Sequence, residues 1–405
     1  SAYSGAFDLP FARGVGIFWS VRPTLREGGR HILWQATWGF AEGAEGFAGR
    51  AVSCGEKKSQ TGYGGLMEWH VAHNIADALA AAGADPKARF VGGGLSLTLL
   101  LQHGVEPAHK WIDLSGLPLD TIEGRPGELR IGAQVRLFRL AQDPLVKAYA
   151  PLLAVATKQT ATPALRNQST LGGELLQRTR CPLFRDVANL RCGRRLPGSG
   201  CAVLEGVQAP AAILQTSLAC VAPSASELAV PLAALSAQAT LLSVERPHER
   251  RVPLLDLYRP PGDSPHVENN LLPGELLTSI TIPVSASAPA PASVRRAFGY
   301  ARLADTPLRP LVQAAVALDF DLGPKDKTIV SARVVLGGVS TCPVRCEHTE
   351  RALTQRPLTI ETCTHAAKQA LALEKPTAAN WSLVECTEQA LQQALVEATK
   401  THATH

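Results

Sequence analysis

Apolar and polar positions follow no clean period of 2 or 3.6 up to about residue 66, and regular patterning begins there. IADALAAAGA (75–84) reads as an alanine-rich helix ending near Gly83, and ARFV (88–91) as a short strand running into Gly92-Gly93-Gly94. A helix over LSLTLLLQHG (95–104) follows, then strands at Trp111–Leu114 and Leu129–Ala133. Residues 135–159 carry a helical period interrupted at Asp143-Pro144, where proline cannot continue the hydrogen-bond ladder. Further on, ELAVPL (227–232), QATLLSVER (238–246) and GELLTSITIPV (274–284) read as strands, and PPGDSP (260–265) as a turn-rich link. QAAVALDFDLG (313–323) and TIVSARVVLGGVS (328–340) read as two paired strands. Helices are expected at about 345–355, 360–373 and 382–399, with Ser382 and Glu385 as a capping box for the last. Strand–glycine–helix order of this kind predicts a mixed α and β architecture.

Composition narrows the class. Apolar residues make up 45% of the 405 and charged residues 19%, which suits a folded chain of two or three domains. The net charge of +5 is spread along the chain, with no basic stripe interleaved with aromatics, so nucleic acid is not an expected partner. No apolar run is long enough for a membrane span, and residues 1–30 show no ordinary secretory signal. Three of the six tryptophans fall in residues 1–66, and the sole methionine, Met67, stands where the regular pattern starts. Residues 1–66 are therefore read as an N-terminal extension of unclear role. The proline, alanine and serine run from Pro283 to Ser293 is the clearest domain boundary.

Nine cysteines is an odd number, and four of them cluster: Cys181, Cys192, Cys201 and Cys220, spaced C-x10-C-x8-C-x18-C. Structural zinc favours close C-x2–4-C pairs, which this cluster lacks. Its wider gaps suit a loop wrapped around a bulkier object such as an iron–sulfur cluster, or else four unrelated thiols in a basic loop. Arg178, Arg180, Arg185, Arg191, Arg194 and Arg195 surround them, and cations stabilise an anionic cluster. Cys342 and Cys346 read as helix-start thiols. Two glycine loops, Gly92–Gly94 and Thr170–Gly173, are placed so that together they could clamp a pyrophosphate through backbone N–H groups. Neither matches G-x-G-x-x-G or a P-loop, and a glycine triplet is by itself a common turn. The histidines form no metal-binding pair, and no nucleophile–base set is present, so no catalytic residue is assigned.

Several stretches carry a likeness to a known family: ARFVGGGLSL (88–97), LRIGAQVRLFRLA (129–141), ATPALRNQSTLGGELLQRTRCPLFRD (161–186) and RRLPGSGCAVLEG (194–206). LYRPPGDSPH (257–266), LLPGELL (271–277) and VVLGGVSTCPVR (334–345) add to them. Over about residues 67–400 the chain resembles the FAD-binding medium subunit of the xanthine dehydrogenase family of molybdenum hydroxylases. Within it, the chain is most like the branch of periplasmic aldehyde oxidoreductase, whose flavin subunit also holds a [4Fe–4S] cluster. The resemblance implies an α+β chain with a two-lobed PCMH-type FAD-binding domain over 67–285, an inserted iron–sulfur loop at about 178–222, and a CO-dehydrogenase-flavoprotein-like C-terminal α/β domain over 293–400. It makes Cys181, Cys192, Cys201 and Cys220 the cluster ligands. FAD would lie on Val91, Gly92, Gly93, Gly94, Leu95, Ser96 and Leu97, on Ser169, Thr170, Gly172, Gly173 and Glu174, and near Glu227.

The implied function is an electron-transfer subunit oxidising aldehydes or N-heterocycles as part of a three-subunit complex. Its partners would be a molybdenum-cofactor catalytic subunit and a [2Fe–2S] subunit. The chain departs from the family pattern where Leu95 and Ser96 follow the first glycines, where Gln102 replaces a lysine, and where Glu174 replaces an asparagine. Glu227 stands for an aspartate, and YARLADTP (300–307) for a more basic run of which Arg302 persists. Leu95 offers no hydroxyl donor, and a carboxylate at Glu174 beside a phosphate would repel it. These departures open an alternative, a scaffold or assembly subunit that keeps the cluster without FAD. The compartment implied is cytoplasmic, or periplasmic through co-export with a signal-bearing partner.

Overall fold

A computed structural model describes residues 15–25 and 32–42 as backbone, and 68–403 except 107–109, 246–247, 285–293, 307–308, 323–326 and 372–379. The chain divides into two compact units, the first comprising residues 1–70 and 109–111. In this unit β1 (Val15–Leu25) and β2 (Ile32–Glu42) form an antiparallel hairpin, with Trp19 opposite Trp38 in register. The irregular hydropathy of this stretch gave no sign of it. The expectations attached to residues 43–67, including the role of Met67, lie outside the described residues.

After β3 (Glu68–Val71), the second unit opens with α1 (Ile75–Ala84). Asn74 caps this helix by accepting from Asp77 N–H at 2.9 Å, while Asp77 accepts from His73 N–H at 2.8 Å. β4 (Arg89–Val91), α2 (Leu95–Gln102) and β5 (Lys110–Asp113) follow, and Leu114 N–H donates to the Val91 carbonyl at 3.1 Å. β6 (Ile122–Arg125) and β7 (Glu128–Gly132) form a hairpin at one edge of a five-stranded antiparallel sheet. The helical period after it breaks into α3 (Leu137–Gln142), α4 (Pro144–Tyr149) and α5 (Pro151–Gln159), each later piece beginning on a proline that tolerates only a helix start.

Three short helices, α6 (Pro163–Gln168), α7 (Leu171–Leu175) and α8 (Pro182–Arg185), lead through the cysteine loop to α9 (Ala229–Ala234). The strand expected over ELAVPL is thus helical. The reason is tertiary: Glu227 and Leu228 N–H groups donate to the buried Glu174 carboxylate, which caps the helix from another part of the chain. β8 (Gln238–Leu242), β9 (Arg250–Pro253) and β10 (Leu276–Pro283) complete the sheet, with β10 at its centre and almost wholly buried. Leu129, Ile131, Leu137, Leu140, Leu153, Leu232 and Ile280 join in one core.

β11 (Val294–Thr306), β12 (Arg309–Leu322), β13 (Lys327–Gly337) and β14 (Val344–Arg345) make a four-stranded antiparallel sheet in that order. The paired strands read from the sequence are β12 and β13; β11 was not anticipated. α10 (Glu347–Leu353), α11 (Ile360–Lys368) and α12 (Trp381–Ala403) bury Leu353, Cys363, Leu391 and Leu395 with this sheet in a second core. α12 passes so close to β11 that Gly299 has no room for a side chain against the Ala394 carbonyl. α12 starts at Trp381, so Ser382 lies inside its first turn and not at the cap.

Candidate functional site: two glycine loops and a four-thiol cavity

The two glycine loops meet. Gln168 Nε2 donates to the Gly93 carbonyl at 3.1 Å, and Arg136 Nη1 donates to the Gln168 carbonyl. A side chain on Gly92 would stand 2.6 Å from Thr170 Oγ1, and one on Gly93 would collide with the Gln168 backbone carbonyl. Gly94 caps α2 at φ +73°, in the left-handed region that glycine enters without strain. The N-terminus of α2 presents Leu95, Ser96 and Leu97, and Ser96 Oγ is buried with no partner among the described residues. In the second loop Thr170 Oγ1 caps α7 through Gly173 N–H at 3.2 Å, and Ser169, Leu171 and Gly172 are zipped by backbone bonds to residues 133–137. The sequence reading missed Gln134 and Arg136. Both approach the first loop, and with Ser115, Leu117, Asp120 and Arg139 they line a polar cavity of about 460 Å³ of non-atom space beside it. The signal was faint: an arginine in LRIGAQVR is unremarkable until the fold brings it to Gly93.

Glu174 does not face that junction. It is 6% exposed, and its Oε1 accepts from Glu227 N–H at 2.7 Å and Gln177 Nε2 at 3.0 Å while Oε2 accepts from Ser226 Oγ at 2.9 Å. The side chain therefore has a structural task, the cap of α9. Burial, reinforced by the neighbouring Glu227 charge and opposed by the donors of Glu227, Ser226 and Leu228, pushes its pKa up to about 7. The folded chain thus holds this proton up to about pH 7, whereas an unfolded glutamate releases it near 4.5. The stability it contributes is complete below pH 4.5 and is lost as pH rises through 7. Glu174→Gln is expected to flatten the change in unfolding free energy over that window, by on the order of 1–3 kcal/mol, in denaturant titrations at several pH values. An unchanged slope would show that Glu174 titrates as an ordinary carboxylate.

Glu227 is 1% exposed and pairs with Arg302 Nε at 2.6 Å, with Arg180 Nη1 at 3.8 Å from its other oxygen. Arg302 lies on β11, so the arginine that persists from the family run is tied to the acid that stands for the family's aspartate. A buried pair of this kind is costly to break from one side, about 3–5 kcal/mol.

Cys181, Cys192, Cys201 and Cys220 line a single cavity of about 320 Å³ of non-atom space, part of it open to solvent, together with Phe184, Arg191 and Arg194. All four are free thiols. An antiparallel bridge joins Cys192 to Cys201, and Gly193 N–H donates to Gly200 O at 2.6 Å. Among the described residues no three His, Cys, Asp or Glu side chains converge as a single-ion site. Four thiols spread around a cavity suit a polynuclear group better than one tetrahedral ion. Donors already point at two of the sulfurs: Phe184 and Leu183 N–H at Cys181, whose thiol burial pushes up, and Ala222 N–H at Cys220 Sγ, 3.4 Å.

The surrounding arginines divide by job. Arg195 donates to the Leu183, Phe184 and Asn189 carbonyls and Arg185 to the Thr179 carbonyl, so these two staple the loop. Arg191 pairs with Glu205. Arg194 and Arg178 belong to a mostly buried ion chain described below. Of the other pair, Cys346 caps α10 as expected, but Cys342 lies in the preceding turn, its thiol pushed up to about 11 by burial.

Comparison with known proteins now decides the family. Residues 64–285 match the FAD binding domain in molybdopterin dehydrogenase, and residues 309–383 match the CO dehydrogenase flavoprotein C-terminal domain. The chain belongs to the FAD-binding medium subunits of the molybdenum hydroxylases. The aldehyde oxidoreductase FAD-binding subunit PaoB of Escherichia coli is 39% identical over 281 residues, covering 69% of this chain and 83% of PaoB. The 6-hydroxypseudooxynicotine dehydrogenase complex subunit alpha of Paenarthrobacter nicotinovorans is 26% identical over 314 residues, 75% of this chain and 84% of that one. Among solved structures, carbon monoxide dehydrogenase from Hydrogenophaga pseudoflava superposes with a TM-score of 0.62 at 21% identity, covering 83% of this chain and 98% of that one, a likeness of fold. This FAD-binding subunit is thus an oxidoreductase component, and no helix among its described residues is long and apolar enough to cross a membrane. Its glycine junction fits a dinucleotide: glycines where side chains would collide, a helix N-terminus, and an orphaned Ser96 hydroxyl.

Proposed function

We propose that this subunit carries both FAD and a [4Fe–4S] cluster and passes electrons from a molybdenum subunit and a [2Fe–2S] subunit to an acceptor, in a complex oxidising aldehydes or N-heterocycles. The observation that carries the cluster is the cavity lined by four free thiols. Identity of 39% to an aldehyde oxidoreductase subunit favours the aldehyde class.

Bound FAD would supply an exchange point between paired and single electrons. The chain's own residues hold and orient. Gly92–Leu97 offer backbone N–H groups to the pyrophosphate, with the Ser169–Gly173 loop packed against them and Arg136 and Gln134 beside them. Glu174 keeps α9 in place, and α9 carries Glu227 at its entrance toward Arg302. Cys181, Cys192, Cys201 and Cys220 would bind the cluster's irons as thiolates. Leu190, Leu196, Leu204 and the 97% exposed Leu218 leave apolar surface over this loop, as suits a chain that docks against partners. Of the departures behind the alternative of a scaffold without FAD, one is accounted for: the Glu174 carboxylate is taken up by Ser226, Glu227 and Leu228.

Quantifying iron, acid-labile sulfide and releasable FAD on the purified full-length chain tests this. About four iron, four sulfide and one FAD per chain are expected. Iron and sulfide without flavin would favour the scaffold; flavin without iron would retire the cluster.

A further inference from the structure

A line of mostly buried charge runs from β4 to the fourth cysteine. Arg89 pairs with Glu106 at 2.7 Å, Glu106 with Arg178 at 2.7 Å, Arg178 with Glu268 at 2.6 Å, and Glu268 with Arg194 at 2.9 Å. Arg178 also lies over the Phe184 ring, 4.5 Å from its centre. The last guanidinium, Arg194, is 7% exposed and hydrogen-bonds the Cys220 side chain, while its Nε has no partner among the described residues. Three guanidinium groups here share two carboxylates. The guanidinium in excess is that of Arg89, whose side chain is 43% exposed to water. The buried part of the line, Glu106, Arg178, Glu268 and Arg194, balances, and it ends with Arg194 between Glu268 and the Cys220 side chain.

We propose that Arg194, held by Glu268, is a positioning residue whose buried charge meets the anionic cluster through Cys220 and sets its reduction potential. This rests on the cluster reading above. Reduction adds one electron to the cluster, and a fixed cation in a low-dielectric wall favours the more negative, reduced form. Glu268 acts with the opposite sign: it orients Arg194 and partly cancels it. Arg195 and Arg185, engaged with backbone carbonyls, hold the fold of the loop instead.

The test is a potentiometric titration of the cluster, followed by electron paramagnetic resonance with dithionite as reductant, on the full chain in its complex. Arg194→Gln should lower the midpoint potential, Arg194→Lys should shift it less, and Glu268→Gln should raise it. Opposite signs in two variants that disturb the same ion pair are not produced by simple loosening of the loop. If Arg194→Gln sheds its cluster, the Glu268→Gln rise and the small Arg194→Lys shift decide the matter. No shift in an Arg194→Gln variant that keeps its cluster, or shifts of the same sign in Arg194→Gln and Glu268→Gln, overturns the inference. A wild-type chain lacking iron and sulfide overturns the cluster reading itself, which is a separate result.

Discussion

Cys220→Ser is expected to bring iron and acid-labile sulfide from about four each per chain to near zero. The thiolate is the ligand that iron–sulfur clusters require, and serine, whose hydroxyl stays protonated at neutral pH, replaces it poorly. The loss should exceed what one missing bond implies, because Cys220 also anchors the wall of the cavity: its sulfur accepts from Ala222 N–H at 3.4 Å and from buried Arg194. Removing the cluster would leave buried Arg194 facing an emptied cavity with Glu268 as its carboxylate partner, so a lowered thermal midpoint should accompany the iron loss. Cys363→Ser is the control. Cys363 is equally buried, but in the C-terminal core against α12, far from the four-thiol cavity in connectivity and packing. It should cost stability and spare the iron. A Cys220→Ser chain with full iron content, measured by colorimetric iron assay and visible absorbance, would remove Cys220 from the ligand set.

Gly93→Ala should lower the FAD content at least tenfold while the chain still folds. The added methyl group would strike the Gln168 backbone carbonyl, and that carbonyl cannot rotate away as a side chain could. It is also pinned by Arg136, and Gln168 in turn holds the Gly93 carbonyl at 3.1 Å. The two loops must separate, and the backbone donors of the first then lose the support that aims them. A tenfold loss corresponds to about 1.4 kcal/mol of binding, well within the cost of overpacking at a rigid contact. Gly198→Ala makes the comparison. Its φ is +82° but nothing lies within 4 Å of the new methyl group, so it should cost about 1 kcal/mol of backbone strain and leave FAD untouched. Released FAD fluorescence per chain reads the difference. Equal FAD in Gly93→Ala and wild type would mean that the loop junction does not hold the cofactor.

Much of this was legible in the residues. Short-range patterns reported α1, α2, β7, β12 and β13 because their apolar runs are bounded by glycine or turn residues, and prolines marked the breaks between α3, α4 and α5. The family likeness rested on motifs such as LLQRTRCP and PGSGCA, whose chemistry is local. What failed was whatever depended on a distant partner. ELAVPL has the composition of a strand and became a helix because Glu174, more than fifty positions earlier, supplies its cap. Glu174 itself looked like a phosphate-repelling carboxylate because its neighbours in sequence are the loop glycines, whereas its side chain is taken up by Ser226, Glu227 and Leu228.

The residue types and spacings alone determined that four thiols belong to one loop, that two glycine turns precede it, and that the chain mixes α and β; the oxidoreductase role was implied by the family resemblance. They did so because ligand identity and turn propensity are properties of a few consecutive residues. Only the tertiary structure decided which loop glycine meets which carbonyl, that Gln134 and Arg136 join the junction, and that Arg89, Glu106, Arg178, Glu268 and Arg194 form one buried line ending on Cys220. Electrostatic balance and steric closeness act through space between residues far apart along the chain, and no window of sequence contains both partners.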